Sequence, residues 1–176
     1  MFKRYQLKIY PDRLLRQKAL PVETLNSDLH DLIGNMAILM YENYGIGLAA
    51  PQVGVLQRII IADIGEGLLT LINPEIIEKE GQNRFEEGCL SLPGIQAEIT
   101  RNYTILVRGI DPEGQEKELD LRGLMSRVIQ HEIDHLNGVL IIDHVSLVRK
   151  FLLTRQLEEA RQKDLNRLIK IRMNYL

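Results

Sequence analysis

Apolar residues recur at a spacing of three and four in two stretches of the chain, as expected for helices with one buried face. The first stretch begins after a capping residue, Asn26 or Ser27, and its apolar positions are Leu29, Leu32, Ile33, Met36, Ala37 and Met40. The second runs from Leu124 to about Leu136 and includes Val128, Ile129 and Ile133, with Gly138 where a helix stop is expected. A third, amphipathic helix is predicted over roughly residues 146–172.

Between the first two predicted helices lie short runs that are typical of strands. They are LQRIIIAD (56–63), LLTLINP (68–74), QAEIT (96–100), YTILVRGI (103–110) and, after a turn at residues 111–114, QEKELDL (115–121). Helices and strands do not alternate regularly. The pattern therefore favours an α+β fold over a parallel sheet, with mixed or antiparallel strands packed around a central metal-binding helix and further helices on its N-terminal and C-terminal sides.

Composition indicates one domain, residues 1–176, because 176 residues with 45% hydrophobic content can enclose a core. No apolar run is long enough to span a membrane, and the N-terminus lacks the apolar core of a signal peptide. The single cysteine fits a reducing compartment. These features predict a cytoplasmic protein and leave an organellar form open.

Charge is distributed unevenly along the chain. The net charge is −2, but residues 149–176 hold eight Lys/Arg against three Asp/Glu, so that this segment carries +5 and the remainder −7. A basic terminal helix is either a solvated surface or a binding patch for a polyanion, and charge alone does not decide between them.

The segment QHEIDH, residues 130–135, lies within the second predicted helix. His131 and His135 are four residues apart, so about one helical turn brings both imidazoles to the same face, as a shared metal ion requires. Glu132 lies near that face, where a carboxylate can act as general base on an attacking water. The sequence therefore predicts a metal site on this helix.

The third ligand separates the classes of metal site. A metzincin needs a histidine where this chain has Ile141, which excludes that class. A thermolysin-like zinc peptidase would use Glu158 or Glu159, although both fall in a charged helical stretch. A non-catalytic, metal-stabilised module would need a fourth protein ligand, for which the sequence offers no good candidate.

Cys89, in EGCLSLP (87–93), is the only cysteine of the chain. It is interpreted as a core residue, as a nucleophile, or as the third ligand of a Cys-His-His set that keeps one position open for catalysis. Elsewhere, Gly45-x-Gly47-x-x-Ala50 matches a relaxed dinucleotide fingerprint, but it follows a helix and precedes a strand, so no nucleotide cofactor is expected.

Three motifs together resemble those of the peptide deformylases: GIGLAAPQ (45–52), EGCLS (87–91) and QHEIDH (130–135). The resemblance extends to YPDRLLRQKA near the N-terminus and INPEI at 72–76, and thus covers nearly the whole chain. The predicted C-terminal helix is similar to that of the common bacterial form. The resemblance implies hydrolysis of the N-formyl group from the formyl-methionine of new polypeptides.

The resemblance also implies roles for residues of this chain. Cys89, His131 and His135 would bind a divalent metal, with Fe(II) expected and Ni, Co or Zn as substitutes. Glu132 would take a proton from the attacking water and return it to the departing nitrogen. The side-chain amide of Gln52 and the backbone N–H of Leu90 would stabilise the oxyanion.

The same resemblance places the substrate at the first motif. Gly45 and Gly47 would let the substrate backbone approach, with Gly47 pairing to it as to an added strand, and Ile46 and Val128 would line the methionine pocket. Glu87 and Arg101 form an expected supporting pair, and the role of the stretch at Ser126 and Arg127 is left open. Beside nascent chains, the ribosome is a further expected partner through the basic C-terminal helix.

Overall fold

The computed structural model describes residues 5–173, with side chains described to residue 163. The last three residues of the basic segment 149–176, residues 174–176, lie outside the described residues. Three α-helices are present in the described part of the chain: α1 (Ser27–Glu42), α2 (Gly123–Leu136) and α3 (Leu147–Met173). Their positions confirm the three helices predicted from the apolar spacing.

Seven strands are described: β1 (Gly47–Ala49), β2 (Ile59–Ala62), β3 (Leu69–Glu80), β4 (Asn83–Gly88), β5 (Gln96–Arg101), β6 (Thr104–Ile110) and β7 (Glu116–Arg122). The order β1-β2-β3-β6-β7 forms one sheet, and β4 and β5 form a separate hairpin. All of these ladders are antiparallel. The α+β prediction is confirmed, and the five predicted strand runs correspond to β2, β3, β5, β6 and β7, whereas β1 and β4 were not predicted.

The two buried faces of β2 explain why its sequence IIIA has no polar alternation. Ile59 and Ile61 point into a core with α1, whereas Ile60 and Ala62 point into a core with α2. Successive side chains of a strand face opposite sides, so a strand covered on both sides must be apolar at every position. Helices α1 and α2 therefore cover opposite faces of the sheet at β2, and most residues of α2 are buried.

The two helix boundaries expected from the sequence, at the start of α1 and the end of α2, are present in the structure. Asn26 caps α1, its side-chain oxygen accepting a hydrogen bond of 3.0 Å from the backbone N–H of Leu29. After α2, Gly138 has φ of +72°, and a Cβ there would lie 2.6 Å from the backbone oxygen of Arg16. The chain can turn at this point only because the residue has no side chain.

A third apolar cluster packs against the β4–β5 hairpin. It joins β5 and the segment that follows α2 to two residues of α3, Leu153 and Leu157. The remaining large apolar residues at the start of α3 are exposed. Among the described helices, none has the combination of length and apolar character needed to span a membrane.

Two glycines of this fold should respond to alanine in opposite ways. Gly34 is exposed in the middle of α1, where an added Cβ meets nothing within 4 Å. Gly34→Ala should therefore raise the free energy of unfolding by roughly 0.5–1 kcal/mol. Gly138→Ala should lower it by at least about 1–2 kcal/mol, because the residue is held at positive φ and an added Cβ would collide with the backbone of Arg16. Urea titration of both variants measures the two changes in the free energy of unfolding. Changes of the same sign would contradict the different roles assigned to the two glycines.

Candidate active site

Three predicted ligand side chains converge on one point. Helix α2 carries His131 and His135, and Cys89 follows the end of β4. Their ligand atoms all lie within 4.8 Å of one another, and Sγ of Cys89 is 3.2 Å from Nε2 of His135. A thiolate and two imidazoles at this separation match the ligands that a borderline-soft divalent ion takes in a tetrahedral site with one open position. The residues present thus fit a metal ion.

The loop that carries Cys89 is held by backbone hydrogen bonds. The carbonyl of Cys89 accepts from the N–H of Leu92 at 3.0 Å, and the N–H of Tyr10 donates to the carbonyl of Ser91 at 2.9 Å. These bonds connect the loop to itself and to the N-terminal segment. The cysteine loop is consequently held in one conformation against the N-terminal segment.

Glu87 orients the first histidine. Its Oε2 lies 3.0 Å from Nδ1 of His131, which leaves Nε2 of that ring for the metal side. Burial alone would raise the pKa of Glu87, but hydrogen bonds from His131 and Arg101 outweigh it and lower the pKa to about 2. Burial and the neighbouring His131 lower the pKa of His135, which favours the neutral imidazole that binds metal.

Glu132 lies beside the ligands and is 3% exposed. Burial raises its pKa to about 7, a value suited to a group that must both accept and return a proton. Within residues 5–163, Oε2 of Glu132 is one of two buried side-chain atoms without a hydrogen-bond partner, the other being Nδ1 of His135. One oxygen of this buried carboxylate therefore has no hydrogen-bond donor among the described residues.

Two glycines of the first motif make room for this arrangement. A Cβ on Gly47 would collide with Oε1 of Glu132 and would lie 2.7 Å from Cγ1 of Val128. A Cβ on Gly45 would lie 2.8 Å from the side chain of Leu90. The absence of side chains at these positions lets β1 approach both α2 and the cysteine loop.

Gln52 is fully buried, and its orientation is fixed. Its Oε1 accepts a hydrogen bond of 2.7 Å from the N–H of Ala49, and a backbone N–H can only donate, so the other amide atom is the nitrogen. That Nε2 lies 3.2 Å from Oγ of Ser91 and 3.7 Å from Sγ of Cys89. An N–H donor is thus held beside Cys89.

A cleft of about 730 Å³ opens beside the ligands. All ten site residues predicted from the sequence except His135 border it: Gly45, Ile46, Gly47, Gln52, Cys89, Leu90, Val128, His131 and Glu132. Val128 is buried in its wall, and Ile46 is 44% exposed at its rim. The structure therefore brings together all the residues that the motifs singled out.

The supporting pair expected from the sequence is present. Arg101 donates from Nε and Nη2 to the two oxygens of Glu87, each at 3.0 Å, and both side chains are buried. A second arginine, Arg127, also reaches Glu87, and sequence reasoning missed it. No local signal marked it: Arg127 lies one turn before His131, on the face of α2 that also carries Gln130 and Asp134.

The residues of the other interpretations lie elsewhere. Glu158 and Glu159 are exposed on α3, and Glu159 pairs with Arg155. The chain's other two histidines lie outside the cluster: His144 is 2.7 Å from Asp134, and His30 is exposed on α1. In the described part of the chain, only Cys89, His131 and His135 form a cluster able to hold a metal ion.

Comparison with known proteins decides the family. Residues 5–151 match the family model described as polypeptide deformylase. The chain belongs to the peptide deformylase family. A relative from Thermodesulfovibrio yellowstonii is 46% identical over 156 residues, which cover 86% of this chain and 94% of the relative. A relative from Thermoanaerobacter pseudethanolicus is 51% identical over 140 residues, which cover 80% of this chain and 87% of the relative. Both are peptide deformylases.

The fold agrees with this assignment. The crystal structure of a peptide deformylase from Legionella pneumophila superposes with a TM-score of 0.88 at 37% identity, covering 93% of this chain and 98% of that one. The chain is thus a metal-dependent hydrolase that removes the N-formyl group from the formyl-methionine of newly synthesised polypeptides and releases formate. The family resemblance stated from three motifs is confirmed, and membership favours neither the zinc-peptidase nor the non-catalytic interpretation.

Cys89→Ser should separate metal binding from folding. A serine hydroxyl is a poor substitute for a thiolate ligand, so metal affinity should fall by at least about tenfold. Because Cys89 is only partly buried, the unfolding free energy of the metal-free protein should change little. Chelator competition measures the affinity, and denaturant titration of the metal-free forms measures the stability. Unchanged affinity would show that the thiol is not a ligand.

Proposed function

We propose that Cys89, His131 and His135 bind the catalytic metal ion and that Glu132 is the general base and acid of deformylation. The observation that carries this proposal is the buried carboxylate of Glu132 directly beside a three-ligand cluster with its Oε2 unpartnered among the described residues. When bound, the metal supplies a Lewis acid that polarises the formyl group and activates water. The native ion is proposed to be Fe(II), with Ni, Co and Zn as functional substitutes, since all accept this ligand set.

Glu132 moves the proton of the reaction. It accepts a proton from the water that attacks the formyl carbon, and then donates that proton to the nitrogen as the C–N bond breaks, giving formate and a free amine. A pKa of about 7 keeps the two directions of transfer nearly balanced at neutral pH. Burial of the carboxylate also keeps bulk water from competing for the proton.

Gln52 and Leu90 are proposed as the oxyanion donors. In the transition state negative charge grows on the formyl oxygen, and N–H donors already aimed at that point need no rearrangement. The Nε2 of Gln52 is held towards Cys89 by the contacts of its amide with Ala49 and Ser91. The backbone N–H of Leu90 belongs to the loop of Cys89, so both donors lie next to the metal ligands.

The free edge of β1 supports strand-like binding of the substrate. The carbonyl of Ile46 accepts from the N–H of Asp63, which makes this pair a hydrogen-bonded one of the β1–β2 ladder. Such pairs alternate with pairs that do not exchange bonds, so Gly47, opposite Ala62, directs its N–H and carbonyl away from β2. β1 is the edge of the sheet, and these groups face the cleft side. Gly47 can therefore pair with a peptide backbone of any sequence.

The methionine side chain is proposed to lie between Ile46 and Val128. Both border the cleft on either side of Gly47, and Val128 touches Gly47 closely enough to exclude a Cβ there. A side chain at Gly45 would collide with Leu90, which also borders the cleft.

Glu132→Ala should abolish deformylation without removing the metal. Loss of the general base should lower kcat for a formyl-Met peptide by about 10²–10⁴-fold, measured as formate release, with metal content equal to wild type. Exposed Glu98→Ala, on the outer surface of the hairpin, is the matched control and should keep full activity. A metal-loaded Glu132→Ala enzyme with wild-type kcat would refute the assignment.

The ribosome is proposed as a partner of the basic C-terminal helix. In the described part of α3, Arg149, Arg161 and Lys163 are exposed and available to phosphate groups. The activity supports this proposal because the substrate is a nascent chain.

Charge reversal tests the ribosome proposal without truncating the core residues of α3. Co-sedimentation with ribosomes should weaken in Arg161→Glu/Lys163→Glu, and its salt dependence should fall by about one unit of slope per lost phosphate contact. The control, Arg84→Glu/Arg108→Glu, makes the same charge change at exposed sheet positions and should sediment like wild type. Sedimentation independent of salt and of the α3 substitutions would contradict the proposal.

A further inference from the structure

Arg127 is a buried cation for which the reaction has no direct use. It lies on α2, one turn before His131, and is 5% exposed. Burying a guanidinium is costly unless its N–H groups are paired, so this position must be stabilised by specific contacts. Those contacts all lie on the opposing hairpin.

The guanidinium of Arg127 bonds to both strands of the β4–β5 hairpin. Its Nη1 donates to Oε1 of Glu87 at 2.5 Å and to the carbonyl of Ile99 at 3.0 Å. Its Nη2 donates to the carbonyl and the side-chain oxygen of Asn83, at 3.0 and 2.7 Å. Asn83 begins β4 and Ile99 lies in β5, so one side chain of α2 fixes the hairpin at separate points along its length.

Glu87 connects this contact to the metal ligands. One of its oxygens accepts from Arg127 and the other contacts Nδ1 of His131 at 3.0 Å, so the carboxylate joins two residues one turn apart on α2. Along the hairpin, Glu87 is two residues before Cys89. The separation between the cysteine and the histidines is therefore determined by where this carboxylate is held.

Arg101 does not replace Arg127 in this arrangement. It belongs to β5, so its two bonds to Glu87 lie within the hairpin, and its link to α2 runs through Asp134. Arg127 is the arginine that holds Glu87 from the helix itself. With Arg101 alone, Glu87 would keep a partner within the hairpin, but it would be held on α2 by His131 alone.

We propose that Arg127 is a positioning residue of the metal site, which fixes Glu87 so that His131 presents Nε2 and the cysteine loop keeps its distance from α2. The inference rests on the ligand set proposed above. The alternative is a purely structural role, in which Arg127 holds the hairpin on the helix with no effect on the metal. The two differ in metal affinity and in ligand geometry, which stability alone does not report.

Arg127→Met tests the proposal because methionine retains an unbranched side chain without the donors. Affinity for Co(II) and Zn(II), measured by chelator competition, should fall about 10–100-fold, as for other groups that orient a ligand histidine. The visible absorption spectrum of the Co(II) protein should shift, because the thiolate and imidazole positions change. Arg127→Lys keeps the charge but not the planar fork, so its affinity should lie between those of Met and wild type.

The matched control is Arg84→Met, on the same hairpin but in an exposed ion pair with Glu98, which should bind metal like wild type. Wild-type affinity and Co(II) spectrum in Arg127→Met, with only the unfolding midpoint lowered, would overturn the inference. If Arg127→Met does not fold, wild-type affinity and spectrum in Arg127→Lys would overturn it equally. Cys89→Ser in the same assay distinguishes failure of the proposed ligand set from failure of the positioning role. If Cys89→Ser retains metal, the ligand set is wrong. If Cys89→Ser loses metal and Arg127→Met retains it, the positioning role is wrong.

Discussion

The site depends on one carboxylate that receives hydrogen bonds from two structural units. Glu87 lies on the hairpin that carries Cys89, and its oxygens meet Arg127 and His131 of α2 as well as Arg101. A metal ion needs ligands within a few tenths of an ångström of fixed positions, and here they come from elements far apart in the chain. With the ligand set proposed above, the geometry of the site follows from how the hairpin and the helix are joined, more than from the loop that bears the cysteine.

The hairpin and α2 are joined by charged side chains, and the balance of positive and negative charges offsets the cost of burying them. Arg101 and Arg127 face Glu87 and Asp134, so the two cations and two anions compensate one another with short hydrogen bonds. Apolar residues of the same volume would stabilise the fold as well or better, because desolvating ions is costly. What an apolar contact lacks is direction. Hydrogen bonds from planar guanidinium groups orient the carboxylate, and the carboxylate orients an imidazole.

Much of the fold and of the site could be predicted because their signals are local. The helical spacing of apolar residues predicts α1 and α2, and the ligand helix is visible in one hexapeptide. β4 was missed because only Glu87 of its six residues is buried, so the strand has no apolar alternation, and β1 was missed because three residues inside a glycine-rich motif carry too little pattern. Arg127 could not be predicted, since its partners are 28 to 44 residues away and an arginine in a helix usually faces solvent.

The free edge of β1 has a consequence beyond catalysis. An unpaired strand edge is a template on which any extended chain can add, including another copy of the same protein, and natural sheets commonly protect such edges. Here the edge strand is only three residues long, two of them buried, and it passes at once into a 3-10 helix containing Pro51, which has no N–H to offer. An edge this short can pair with the first residues of an extended chain, but it has no further backbone groups along which a longer ladder could form. The same shortness protects the enzyme from self-association through this edge.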